Sequence, residues 1–91
     1  MSEPPFPRQE HRDYLERRAR RQISKREGLR FIDIVDGFDD RTYCVGVEKP
    51  PSPTLRRLPI AAQLIQHCLD EDRDDDLLLK LDVLLDEEFA A

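Results

Sequence analysis

The chain has 91 residues, 38% of them apolar and 38% charged, with a formal net charge of -5. At this length the sequence supports one small domain with a thin stability margin, and three glycines give little from which to build a phosphate loop or a strained nucleophile turn. It holds no apolar run of membrane-spanning length and no basic-then-apolar start, so it reads as neither a transmembrane nor a secretory sequence.

The charge is unevenly placed. Residues 1–30 carry nine Lys or Arg against five acids (+4), residues 31–60 four against five (-1), and residues 61–91 two against ten (-8). The two cysteines, Cys44 and Cys68, sit among apolar residues rather than in a disulfide framework, which points to a reducing, cytoplasmic setting.

Residues 1–7, with Pro4, Pro5 and Pro7 around Phe6, read as a disordered Pro-rich tail. The remainder, 8–91, is expected to form a single small α+β domain. Strong helix formers fill residues 8–27, and Gly28 stands where a helix C-cap belongs. This basic helix has a narrow apolar seam of Leu15, Ala19 and Ile23, interrupted by Arg12 and Arg26, so light packing is expected.

Residues 29–48 change period. Phe31, Ile32, Ile34 and Val35, then Tyr43, Val45 and Val47, bracket Asp36-Gly37-Phe38-Asp39-Asp40 and predict an antiparallel β-hairpin with a loop of about five residues. Ile32 and Ile34 are expected on the inner face, with Phe31, Val35 and Cys44 on the other. A hairpin alone is marginal in water and must be covered by helices or extended by another strand.

Residues 49–57 contain Lys-Pro-Pro-Ser-Pro and read as a stiff linker; the Pro50 and Pro53 spacing matches a groove ligand, but a spacer accounts for it. Pro59 suits a first helical turn, so a helix is expected from about Leu58, with Leu58, Ala61, Ala62, Leu64, Ile65, Cys68 and Leu69 on one arc. The acidic stretch Asp70-Glu71-Asp72-Arg73-Asp74-Asp75-Asp76 then breaks the pattern, with Asp74 or Asp75 as N-cap of a last helix ending near Phe89. Residues 58–89 thus predict an antiparallel helical hairpin.

The last helix has two apolar sides. Leu77, Leu78, Leu81, Leu84, Leu85 and Phe89 share one arc, and Leu79 with Val83 forms a second. A lone chain cannot bury both, so Leu79, Val83, Leu78, Leu85 and Phe89 are the expected partner or oligomer interface, with a homodimer favoured.

Chemistry-bearing sets are sparse. His11, Cys44, His67 and Cys68 lack zinc-ligand spacing, the acids Asp33, Asp36, Asp39 and Asp40 lack a calcium-loop pattern, and Ser24 and the cysteines sit in no nucleophile motif. No cofactor, metal or enzymatic activity is expected. Tyr14, Arg17, Arg18, Arg20, Arg21 and Lys25 form a basic arc that a nucleic-acid binder would use, set against a plain solvated face laced by i,i+4 ion pairs. Asp70, Asp72, Asp74, Asp75 and Asp76 would suit an acidic mimic of nucleic acid, or simply helix capping and solubility.

The sequence therefore predicts a small non-catalytic protein-interaction module, such as an inhibitor, adaptor or assembly factor, that self-associates and docks a protein partner through its C-terminal helices. The small size and the lack of catalytic motifs fit a phage or mobile-element accessory protein. The alternatives are a nucleic-acid-binding regulator and an acidic nucleic-acid mimic.

Overall fold

A computed structural model describes residues 9–37, 41–51 and 55–89. The tail at 1–7, the loop acids Asp39 and Asp40, and Pro53 lie outside the described residues. The chain runs α1 (Gln9–Ser24), β1 (Arg30–Asp36), β2 (Thr42–Glu48), β3 (Leu55–Ala61), α2 (Ala62–Glu71) and α3 (Asp75–Phe89). It is an α+β fold with an N-terminal helix, an antiparallel sheet and a C-terminal helical pair.

The three strands form a meander in the order β1-β2-β3, each neighbouring pair antiparallel. The inner face presents Phe31 and Ile34 from β1, Tyr43, Val45 and Val47 from β2, and Leu58 and Ile60 from β3. Against it pack Leu15, Ala19 and Ile23 of α1, Ala62, Ile65 and Cys68 of α2, and Leu77, Leu81 and Leu85 of α3. Helices on one face of an antiparallel sheet make a two-layer domain. The seam of α1 is buried throughout, more deeply than its width suggested, because Arg12 and Arg26 leave through ion pairs at its margins.

The third strand corrects the sequence reading of 49–57 as linker and of Leu58 as a helix start. Leu58 and Ile60 are buried at i, i+2, with Arg57, Pro59 and Ala61 exposed between and beside them, which is strand periodicity. Pro59 fits a helix start equally well, but at the edge of a sheet its missing N–H is also harmless. The α2 helix accordingly begins four residues later, at Ala62.

A second correction concerns β1. The pairing register shifts between Phe31 and Asp33, a bulge that returns Phe31 to the same face as Ile34 and leaves Ile32 38% exposed. Val35 and Cys44 do lie on the outer face, paired across the strands. On that face Asp33 and Arg57 form an ion pair over Gly46, where a Cβ would come within 2.6 Å of Asp33 Oδ1 and 2.7 Å of an Arg57 guanidinium nitrogen. Only glycine leaves room for that pair as it stands.

Between the last two helices, Asp72 adopts a left-handed conformation with φ 54°. Its N–H bonds to Leu69 O (3.3 Å) and the Arg73 N–H to Cys68 O (3.1 Å), a Schellman closure that ends α2. Leu78 N–H then bonds to Asp74 O at 2.9 Å, so Asp74 stands at the N-cap of α3, with Asp75 and Asp76 in its first turn at the positive end of the helix dipole.

Candidate functional site

The buried side of α3 is Leu77, Leu81 and Leu85, each fully excluded from solvent. Leu85 therefore belongs to the core and is withdrawn from the expected interface. Phe89 and Leu84 pack partly against the same core. Leu79 is 64% and Val83 42% exposed, side by side at i, i+4, with half-buried Leu78 at their margin. The helical neighbours of these two residues at spacings of three and four are Asp75, Asp76, Asp82, Asp86, Glu87 and Lys80. The stripe is thus a small apolar surface in an acidic surround.

Part of that surround is tied to α1. Arg26 donates to Asp86 Oδ1 at 2.5 Å and lies 3.5 Å from Asp82 Oδ1, which also accepts from Gln22 Nε2 at 2.8 Å. The Asp86 hydrogen bond, with its charge and that of Asp82, holds the Arg26 guanidinium even further above its ordinary range. Arg18 donates to Asp74, and Arg12 pairs with Asp36. The basic first third and the acidic last third fold onto one another.

This distribution divides the basic arc. Arg18 lies 3.6 Å from the Tyr14 ring centroid, so one aromatic face is already occupied; burial is the main cause that raises the Tyr14 phenol. Arg20 bonds Glu16 at 2.8 Å and sits 4.4 Å over the Phe31 ring. Arg17, Arg21 and Lys25 remain exposed at i, i+4, i+8, with no ion pair among the described residues. Of six expected contact residues, three are engaged within the fold and three form a bare basic stripe.

The acidic set is similarly divided. Asp74 is half-buried against Arg18, Asp70 accepts from Gln66 at 2.8 Å, and Asp72 is the helix-terminating residue. Asp75 pairs with the largely exposed Arg73, and Asp76 lies 3.8 Å from His67. His11 and Cys68 are buried, His67 is exposed and Cys44 faces the outer side of the sheet, so these four residues do not gather into one site. Among the described residues no group of three His, Cys, Asp or Glu is placed to hold a metal ion. Nor is any described helix long and apolar enough to cross a membrane.

Sequence reasoning missed a polar chain that starts in the core at His11 and Tyr43 and runs out to the exposed Asp70. Gln66 donates to Asp70, which turns its Oε1 toward His11 Nε2 at 2.8 Å; an amide oxygen can only accept, so His11 Nε2 carries the proton. In the neutral ring Nδ1 then accepts from the Tyr43 hydroxyl at 3.2 Å. The signal was present in the register: His11 heads the seam of Leu15, Ala19 and Ile23 at the same spacing of four. Comparison with protein-family models, with curated proteins and with solved structures finds no match.

Proposed function

We propose that the chain is a non-catalytic protein-interaction module whose third helix docks a basic, amphipathic segment of a protein partner. The observation that carries this reading is the pair Leu79 and Val83, exposed on adjacent turns among five carboxylates and one lysine. Apolar contact supplies affinity, while the acidic surround selects partners of opposite charge and disfavours anionic ones. The same surround disfavours a twin at this stripe, because a two-fold interface sets a patch against itself and acid against acid. An inhibitor, adaptor or assembly factor works in this way, and free Cys44 and Cys68 suit a reducing cytoplasm.

Titration of the labelled protein with a Lys- and Leu-rich helical peptide, and with a Glu- and Leu-rich counterpart, tests the reading. The basic peptide should shift α3 amides with an affinity that falls as salt rises, and Leu79→Ser with Val83→Ser should remove the response. Equal response to both peptides, or an undiminished response in the double variant, would contradict it.

A second reading rests on Arg17, Arg21 and Lys25, the stripe left unpaired among the described residues. Two cations on successive turns of α1, followed by a third just past its end, suit a phosphate backbone. Reversing Arg17 and Arg21 to Glu should then abolish nucleic-acid binding and flatten its salt dependence, and binding that survives the reversal would dismiss this alternative.

A further inference from the structure

The two edges of the sheet differ in what they offer to another strand. Ala62 N–H bonds to Arg41 O at 2.8 Å, and strand alternation then makes Ile60/Tyr43, Leu58/Val45 and Arg56/Val47 the bonded pairs of β2 and β3. The outward positions of β3 are thus Leu55, Arg57, Pro59 and Ala61, and Pro59 has no N–H to give. That edge is interrupted in mid-strand.

On the other side, Gly37 N–H bonds to Thr42 O at 2.7 Å, which makes Val35/Cys44 and Asp33/Gly46 the bonded pairs. Ile34 and Asp36 are left with N–H and C=O directed away from β2. Among the described residues no strand pairs with this edge. Beside it Val35 is 37% exposed on the outer face, and the bulge at Ile32 limits regular pairing to the residues that follow it.

We propose that β1 is the self-association edge: a second copy of the chain adds its own β1, antiparallel, with Ile34 opposite Asp36 of the other copy and Val35 opposite Val35. In that register each Ile34/Asp36 pair exchanges both backbone hydrogen bonds, so the outward groups of both copies are satisfied. The two Val35 side chains meet at the narrow, non-bonded position on the two-fold axis. Asp33 falls opposite Gly37, and Asp36, already held by Arg12, falls opposite Ile34, so among the described residues no carboxylate stands directly opposite another. The apolar row Val35–Cys44–Pro59 of one outer face becomes continuous with the same row of its twin. The surface is separate from the α3 stripe, so its failure would leave the docking reading untouched.

Sedimentation velocity from micromolar to millimolar concentration tests the pairing. The wild-type mass should rise toward that of two chains, and Val35→Lys, which sets like charges face to face, should weaken the dimer about tenfold or more. In a Cys44→Ser background, Val35→Cys should oxidise to a covalent dimer, since Cα atoms at a non-bonded pair lie about 4.5 Å apart, within disulfide reach. Leu55→Cys in the same background, on the other edge, should not. The proposal is overturned by a single-chain wild-type mass at every concentration, by a Val35→Lys dimer as strong as wild type, or by a dimer lost only in Leu79→Ser with Val83→Ser.

Discussion

Arg18 donates from Nε to Asp74 Oδ2 at 3.2 Å, joining the middle of the first helix to the N-terminus of the third across 56 residues of sequence. Both side chains are about one-quarter exposed, 24% and 25%. Such a pair is partly screened, so a double-mutant cycle with Arg18→Ala and Asp74→Ala should give a coupling of about 0.5–1 kcal/mol. Urea unfolding at low and high salt measures it. The coupling should shrink with salt, and a salt-independent value would contradict an electrostatic origin.

The two apolar sides of α3 should respond differently to truncation. Leu85→Ala removes a fully buried side chain and should cost about 2–5 kcal/mol, enough to unfold much of a small domain. Leu79→Ala alters an exposed side chain and should change stability by no more than about 0.5 kcal/mol. Thermal and urea midpoints decide this, and a large loss for Leu79→Ala would remove it from the docking surface.

The chain Tyr43–His11–Gln66–Asp70 links β2, α1 and α2 through side chains alone. Tyr43→Phe removes the donor to a buried ring nitrogen and should cost about 1–2 kcal/mol. His11→Ala should cost more, roughly 2–4 kcal/mol, because it removes packing as well. Urea unfolding of the singles and the double variant checks the link: their losses should be clearly non-additive, and simple additivity would show that the groups do not act together.

Burial pushes the Cys68 thiol up, while Cys44 is half-buried on the sheet's outer face. Alkylation of the native protein should therefore label Cys44 first and Cys68 only on unfolding, as read by mass spectrometry of digested peptides. The same shift has a sign in stability. The unfolded thiol loses its proton at lower pH than the folded one, so the contribution is full below the unfolded value and is lost as pH rises through the folded one. Denaturation midpoints should fall across alkaline pH, with a smaller fall in Cys68→Ala; identical slopes would contradict this assignment.

The core arc of α3 was legible because one period governs it, and Leu77, Leu81 and Leu85 face inward as that period requires; Leu85 was also assigned to the interface, and its full burial overturns that assignment. The order helix, hairpin, helical pair was equally legible. Leu55–Ala61 was not, since Pro59 is compatible with both a helix start and an edge strand, and only pairing with β2 decides between them. Nor does anything local announce the bulge at Ile32, which reverses the faces of its neighbours. At the candidate site, the exposure of Leu79 and Val83 followed from periodicity. The burial of His11 and the capture of Arg18 by Asp74 depend on residues 32 to 56 positions away, beyond any periodic signal.

The proposed docking of a basic protein segment on Leu79 and Val83 of α3 can be read from what the protein captures. The most direct measurement is quantitative affinity capture from the native cell extract with wild type, Leu79→Ser with Val83→Ser, and Arg17→Glu with Arg21→Glu. Docking at α3 requires a captured protein that the Arg variant retains and the α3 variant loses, the loss of Leu79 and of Val83 each costing about 1–2 kcal/mol, roughly 5- to 30-fold in Kd. Capture that persists without Leu79 and Val83 but vanishes on reversing Arg17 and Arg21 would contradict it.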